Sequence, residues 1–190
     1  MRIIGGKVRG RRLITPKAMP GKDPIRPTSD RAREALFNII GHSVQEAHVL
    51  DLFAGTGAFG LESLSRGAAS AVFVDNLQTS LALIKKNIEI CGLLDGSVVV
   101  RRDLTKGLLF LEDLARSDGF DLVFLDPPYG KNMGARVLSE LGNSSFLHQD
   151  CIVIAEENAE EKLPEQAGAL GLFDRRKYGG TGFWFYRIQV

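Results

Sequence analysis

From residue 48 onward the chain alternates two kinds of segment. Short, nearly unbroken apolar blocks at 48–53 (HVLDLF), 70–75 (SAVFVD), 97–103 (SVVVRRD), 120–126 (FDLVFLD) and 151–157 (CIVIAEE) have the length of strands. Between them apolar residues recur every three or four positions. Leu77, Leu81, Ile84, Ile88 and Cys91 share one helical face, and Gly92 ends that helix. Helices are likewise predicted over 57–67, 107–117 and 134–142. Strands that are apolar throughout and separated by helices predict a parallel sheet covered on both faces. Residues 172–190 read as two strands around a Gly-rich turn, and a connection that short pairs them antiparallel. The expected fold class is α/β: a doubly wound, mostly parallel, seven-stranded Rossmann-like sheet with an antiparallel C-terminal hairpin.

The first 47 residues follow a different pattern. MRIIGGKVRGRRLITP sets short apolar pairs among Gly and Arg, and predicts a small β-hairpin turning at Gly5-Gly6 or Gly10. A linker, AMPGKDP, follows. In RPTSDRAREALFNII, Thr28, Ser29 or Asp30 can cap a helix whose face carries Ala32, Leu36, Ile39 and Ile40. The expected organisation is a basic hairpin and linker over 1–24, then an α/β domain over 25–190 that begins with this helix.

Charge sharpens that division. Residues 1–40 hold ten Lys/Arg against three Asp/Glu, whereas the remainder holds 14 against 20. A basic arm on a mildly acidic body is the distribution expected where one end meets a polyanion. Hydrophobic residues at 44% and charged residues at 25% suit a soluble globular domain rather than a membrane or disordered chain. No apolar run reaches membrane-spanning length, and Cys91 and Cys151 read as reduced core thiols, so a cytoplasmic protein is expected. His42, His48, His148 and the cysteines show no metal-ligand spacing, and no metal is expected.

In open parallel sheets ligands bind beyond the carboxyl ends of the strands. Asp51, Asp75, Asp103 and Asp126 all fall on that rim. Gly55-Thr56-Gly57-Ala58-Phe59-Gly60 follows the first strand and opens a helix, matching G-x-G-x-x-G, a pattern shared with dinucleotide sites. Asp51, four residues before Gly55, would repel a pyrophosphate and suits a ligand with a positive amine or sulfonium. Asp75 can accept ribose hydroxyls; Asp103 either accepts from an adenine amino group or caps the next helix. Asp126-Pro127-Pro128-Tyr129 stops the fourth strand, because neither proline can donate to a sheet ladder.

Taken together, Asp51-Leu-Phe-Ala-Gly-Thr-Gly57, Asp75, Asp103 and Asp126-Pro-Pro-Tyr129 resemble the class I S-adenosylmethionine-dependent methyltransferases. RIIGGKVRGRRL, IRPTSDRAREALFNII and DLFAGTGAFGLESLSRGA narrow the resemblance to the RsmD family across residues 1–190. That resemblance implies methyl transfer from S-adenosylmethionine to the exocyclic N2 of a guanine in 16S rRNA, within a small ribosomal subunit or assembly particle. It implies catalytic roles for Asp126, Pro127 and Tyr129, and cofactor contacts from Asp51, Phe53, Gly55, Thr56, Gly57, Asp75 and Asp103. Arg9, Arg11, Arg12, Arg26, Arg31 and Arg33 are the expected RNA contacts. The alternatives are methylation of another base, such as adenine N6 in DNA or RNA, and a non-catalytic ribosome-binding factor.

Overall fold

In a computed structural model describing residues 1–16, 29–128 and 132–189, the apolar blocks assemble into one eight-stranded sheet. In chain order the strands are β1 (His48–Leu52), β2 (Ser70–Asp75), β3 (Ser97–Arg101), β4 (Phe120–Leu125), β5 (Leu147–Asn158), β6 (Gln166–Ala167), β7 (Leu170–Tyr178) and β8 (Thr181–Ile188). Their spatial order is β3-β2-β1-β4-β5-β8-β7-β6. The first five run parallel, and β8, β7 and β6 are added antiparallel. The α-helices are α1 (Asp30–Ile40), α2 (Ala58–Ser65), α3 (Gln78–Cys91) and α4 (Met133–Gly142).

Alternation along the strands divides the core between two faces. Val49, Leu122, Phe124, Ile152 and Ile154 pack against α1, α2, α3 and the N-terminal residues Ile3 and Leu13. Leu50, Leu52, Val123, Leu125 and Val153 pack on the opposite face against Val137, Leu138 and Leu141 of α4. Phe183, Trp184, Phe185 and Tyr186 are all buried, so the aromatic run is core. Cys91 and Cys151 are buried and unlinked. Among the described residues no helix is long and apolar enough to cross a membrane.

Four departures from the sequence pattern have physical causes. The eighth strand, β6, is a two-residue edge addition too short to leave a periodic signal. Residues 107–117 form no α-helix. Single 3₁₀ turns occupy Leu104–Lys106 and Leu109–Leu111, Gly107 at φ 102° breaks the chain between them, and Leu109 faces solvent. The N-terminal hairpin is an irregular ribbon in which Arg2 and Arg12 form the bridge pair, with turns through Gly6 and Gly10 at positive φ. In α1, Ser29 is the cap and its side chain accepts the Ala32 N–H, but Phe37 and Arg33 occupy the buried face while Ile39 is exposed.

Candidate active site

The chain reverses its crossover direction between β1 and β4, which makes their carboxyl ends the switch point of the sheet. Asp51, Asp126 and Glu156 each lie two residues beyond a core residue of the α1–α3 face (Val49, Phe124 and Ile154). The two-residue period therefore turns all three side chains to that face on neighbouring strands. Leu125 pairs with Ala155, so Asp126 and Glu156 occupy the next level of the sheet side by side. The Asp126 N–H donates to the Leu52 carbonyl at 3.4 Å, which keeps the corner stitched to β1 after the ladder ends.

Electrostatics mark this cluster. Burial raises the Asp51 carboxyl to about 8; the Gly60 N–H opposes that shift, and the charge of Asp75 adds to it. Asp126 is pushed well above the usual carboxylate range by burial first, then by the charges of Glu156, Asp51 and Glu157. Asp126 is half-buried and so keeps access to solvent. Carboxyls held in such an environment bind protons or a cationic ligand in preference to standing charged alone.

The glycine loop runs between β1 and α2. Phe53, Gly55 and Gly57 all have positive φ, at 58°, 55° and 76°. A left-handed phenylalanine is a strained residue, and strain of this kind collects at ligand sites. A side chain added at Gly55 would meet only the Phe53 carbonyl oxygen, at 3.8 Å, so the backbone there is open to a ligand. Gly60 serves packing instead: an added Cβ would lie 2.3 Å from the Phe73 ring. Asp51 Oδ2 accepts the Gly60 N–H at 3.0 Å. Asp75 Oδ2 accepts the Gly55 N–H at 3.0 Å and Oδ1 the Leu77 N–H at 2.8 Å, leaving a lone pair on each oxygen. A buried acid for a cation, a carboxylate with spare acceptors for a diol and an open glycine backbone form a donor set that fits S-adenosylmethionine.

The other expected residues divide. Asp103 lies just past β3 and its Oδ1 accepts both the N–H and the hydroxyl of Thr105, so it is a helix-turn cap with Oδ2 remaining for a ligand. The Thr56 hydroxyl is directed to Met1 Sδ at 3.5 Å. Pro127 is buried and Pro128 exposed; Tyr129 and Arg26 lie outside the described residues. Arg9, Arg11, Arg12 and Arg31 are exposed, as an RNA contact requires.

Arg33 is corrected by the structure: its side chain is fully buried and cannot reach an RNA phosphate. It donates to the Arg2 carbonyl at 2.6 Å and to Asp30 Oδ1 at 3.1 Å, and its Nε stands 4.0 Å from the equally buried Glu62. The N-terminal ribbon, through the Arg2 carbonyl, covers that flank of α1.

Two features escaped the sequence reading. Glu156 closes β5 as the aspartates close the earlier strands, so the acid at the end of CIVIAEE was the available signal. The second is a cleft of about 350 Å³ lined by Ser29 at the cap of α1, Arg31 and Ala32 of α1, and Tyr178–Thr181 around the β7–β8 turn. Thr181 pairs with Asn158 at the end of β5, so this cleft opens on the same rim as Asp126.

Comparison with known proteins extends over the same residues. A family model described as conserved hypothetical protein 95 matches residues 1–187. The putative rRNA methyltransferase YlbH of Bacillus subtilis is 36% identical over 187 residues, covering 98% of each chain. Ribosomal RNA small subunit methyltransferase D of Escherichia coli K12 is 32% identical over 190 residues, covering 100% of this chain and 91% of that protein. A solved structure, the putative methyltransferase yhhF from Escherichia coli, superposes with a TM-score of 0.82 at 30% identity, covering 100% of this chain and 98% of that one.

Proposed function

This chain belongs to the conserved hypothetical protein 95 family, the RsmD family of S-adenosylmethionine-dependent methyltransferases, and we propose that it methylates the exocyclic N2 of a guanine in 16S ribosomal RNA in the cytoplasm. The observation that carries the reading is the position of Asp126-Pro127 beside Asp51 at the switch point of the sheet. The name of the relative YlbH supports a ribosomal RNA as substrate, and that of ribosomal RNA small subunit methyltransferase D supports the small-subunit RNA. The choice of guanine N2 rests on the resemblance of the Asp-Pro-Pro-Tyr corner.

When bound, the cofactor supplies an electrophilic methyl group on a sulfonium. Asp51 would balance the cofactor's positive charge, Asp75 would accept its ribose hydroxyls, and the open backbone at Gly55 would permit close approach. A guanine N2 amine is a weak nucleophile because its lone pair is delocalised into the ring. Asp126 accepts one of its hydrogens and the Pro127 carbonyl the other. Neither proline offers an N–H, so no donor competes for these acceptors. Paired acceptors favour a pyramidal nitrogen with its lone pair aimed at the methyl carbon, and they stabilise the positive charge that develops there. A base inside a helix could not reach this corner, so the guanine is flipped out, with Tyr129 the expected stacking partner. The surplus proton leaves to Asp126 or water.

The cleft lined by Arg31 and the β7–β8 turn, which opens on the rim that carries Asp126, supports a path there for the flanking RNA, and the exposure of Arg9, Arg11 and Arg12 supports backbone contacts from the ribbon. Undermethylated small subunits incubated with labelled S-adenosylmethionine should gain label on one guanine N2. Label on an adenine, or no transfer to any RNA despite intact cofactor binding, would overturn the assignment.

A further inference from the structure

Asn87 lies in the interior of α3 and is completely buried. A buried amide in mid-helix is poorly suited to packing and is retained only where its polar atoms are satisfied. Here the partners are backbone atoms of two segments far away in sequence. Oδ1 accepts the Ile14 N–H at 2.8 Å, while Nδ2 donates to the Ile14 carbonyl at 3.1 Å and to the Thr56 carbonyl at 2.9 Å. One side chain thus joins the N-terminal ribbon to the middle of the glycine loop.

Thr56 is the point of the loop that most needs fixing. It sits between Gly55 and Gly57, both at positive φ, and glycine neighbours leave a peptide unit free to rotate. The Thr56–Gly57 peptide is held from both ends: its carbonyl accepts from Asn87, and the Gly57 N–H donates to the Ala54 carbonyl at 2.7 Å. The Thr56 hydroxyl also meets Met1 Sδ of the ribbon. The ribbon is itself anchored along α2. Glu62 accepts the N–H groups of Ile4 and Gly5, both at 2.7 Å, and the Lys7 N–H donates to the Ser65 carbonyl at 2.7 Å. At Gly6 the approach is so close that an added Cβ would lie 1.8 Å from the Ser65 carbonyl oxygen.

We propose that Asn87 is a positioning residue for the cofactor loop, and that the basic ribbon acts through it as a brace holding the Thr56–Gly57 peptide in its ligand-ready orientation. The inference builds on the cofactor assignment made above. It makes the RNA-facing arm and the cofactor loop parts of one rigid assembly.

Asn87→Asp tests this directly, since a carboxylate can still accept the Ile14 N–H but cannot donate to the Ile14 or the Thr56 carbonyl. The expected result is backbone hydrogen exchange across residues 55–57 and a dissociation constant for S-adenosylhomocysteine that each rise by about tenfold or more, since one buried hydrogen bond is lost at the loop and a second at the ribbon. Gly6→Ala, which pushes the ribbon off α2 without touching the loop, should raise the same two quantities. The double variant should do no worse than the poorer single variant, because both remove one brace. Exchange and affinity within twofold of the parent in Asn87→Asp, or effects that multiply in the double variant, would overturn the proposal. If the parent protein failed to bind S-adenosylhomocysteine, the cofactor assignment would fall, while the exchange measurement would still decide the role of Asn87.

Discussion

The Asp51 carboxyl accepts the Gly60 amide at 3.0 Å, joining the end of β1 to the first turn of α2 across the glycine loop. This bond partly offsets the burial that raises Asp51 to about 8. The same group therefore has a structural partner and a proton that a bound cation can displace. Asp51→Asn keeps an acceptor for Gly60 but cannot become charged. Its affinity for S-adenosylmethionine, measured by titration calorimetry, should fall by about tenfold or more, as expected when a charge-assisted hydrogen bond is removed. In the parent protein, affinity should strengthen as pH rises toward about 8, because binding a cation there releases the Asp51 proton. The variant should show a weaker pH dependence.

The raised Asp51 carboxyl also makes a prediction for the ligand-free protein. Its proton affinity is higher folded than unfolded, so the folded state binds more protons between the ordinary carboxylate range and about 8. The contribution of this group to stability is complete below that window and is lost as pH rises through it. Urea unfolding without cofactor should show the parent protein losing stability from pH 5 to pH 8.5 relative to Asp51→Asn. Saturating cofactor should narrow the difference. Parallel pH profiles for the two proteins would show that Asp51 ionises normally.

Asp126 should separate chemistry from cofactor binding. Removing its acceptor in Asp126→Ala costs stabilisation of the charge that develops on the amino nitrogen, so turnover should fall by about 10²–10⁴-fold. Cofactor affinity should stay within a few-fold. Because burial and Glu156 raise the Asp126 carboxyl, its ionised form accumulates only above the usual carboxylate range, and single-turnover rates in the parent protein should climb with pH in that region. Equal losses of rate and cofactor affinity in Asp126→Ala would place this residue in the cofactor site.

The fold was largely legible because each parallel strand is an apolar block ending in a turn or an acid, a signal that survives without tertiary information. The same pattern placed Asp51, Asp75 and Asp126 on one rim, where the structure has them. Residues whose roles depend on what packs over them were not legible. Arg33 looks like any charged helix residue until the ribbon covers it, and Asn87 looks like a polar residue on α3 until Ile14 and Thr56 arrive from either side. The 107–117 segment carries enough leucine for a helix, but the chain past Gly107 turns only far enough to bury Leu108 and Leu111.

The corrected position of Arg33 carries its own prediction. Arg33 and Glu62 are both fully buried; Glu62 accepts from Ile4, Gly5 and Arg66, while Arg33 Nε stands 4.0 Å away without a hydrogen bond. Arg33→Met leaves Glu62 paired with Arg66 and removes a guanidinium whose Nε and Nη1 have no hydrogen-bond partner, so the cost should fall below the ~3–5 kcal/mol of stranding a buried charge. Denaturant unfolding should report a loss smaller than that. Charge removal from both residues, in Arg33→Met with Glu62→Gln, should cost less than the sum of the single changes. If the proteins are compared below their unfolding transitions, RNA affinity should be unchanged, because Arg33 presents no surface to a ligand.

The exposed ribbon arginines should behave in the opposite way. Arg9, Arg11 and Arg12 are solvent-facing, whereas the ribbon is anchored through Ile3, Leu13 and the backbone of Ile4 and Gly5. Replacing all three by Gln removes charge without disturbing the anchors, so stability and cofactor affinity should hold. RNA binding should weaken and become less salt-sensitive. Each phosphate that an arginine no longer neutralises lowers the slope of log affinity against log salt by about 0.7–0.9, so the triple variant lowers it by about 2–3. That slope, measured by filter binding or fluorescence anisotropy, reports the phosphates engaged by the ribbon independently of catalysis. An unchanged slope would move the RNA path off the ribbon and leave its brace on Thr56 as its contribution to activity.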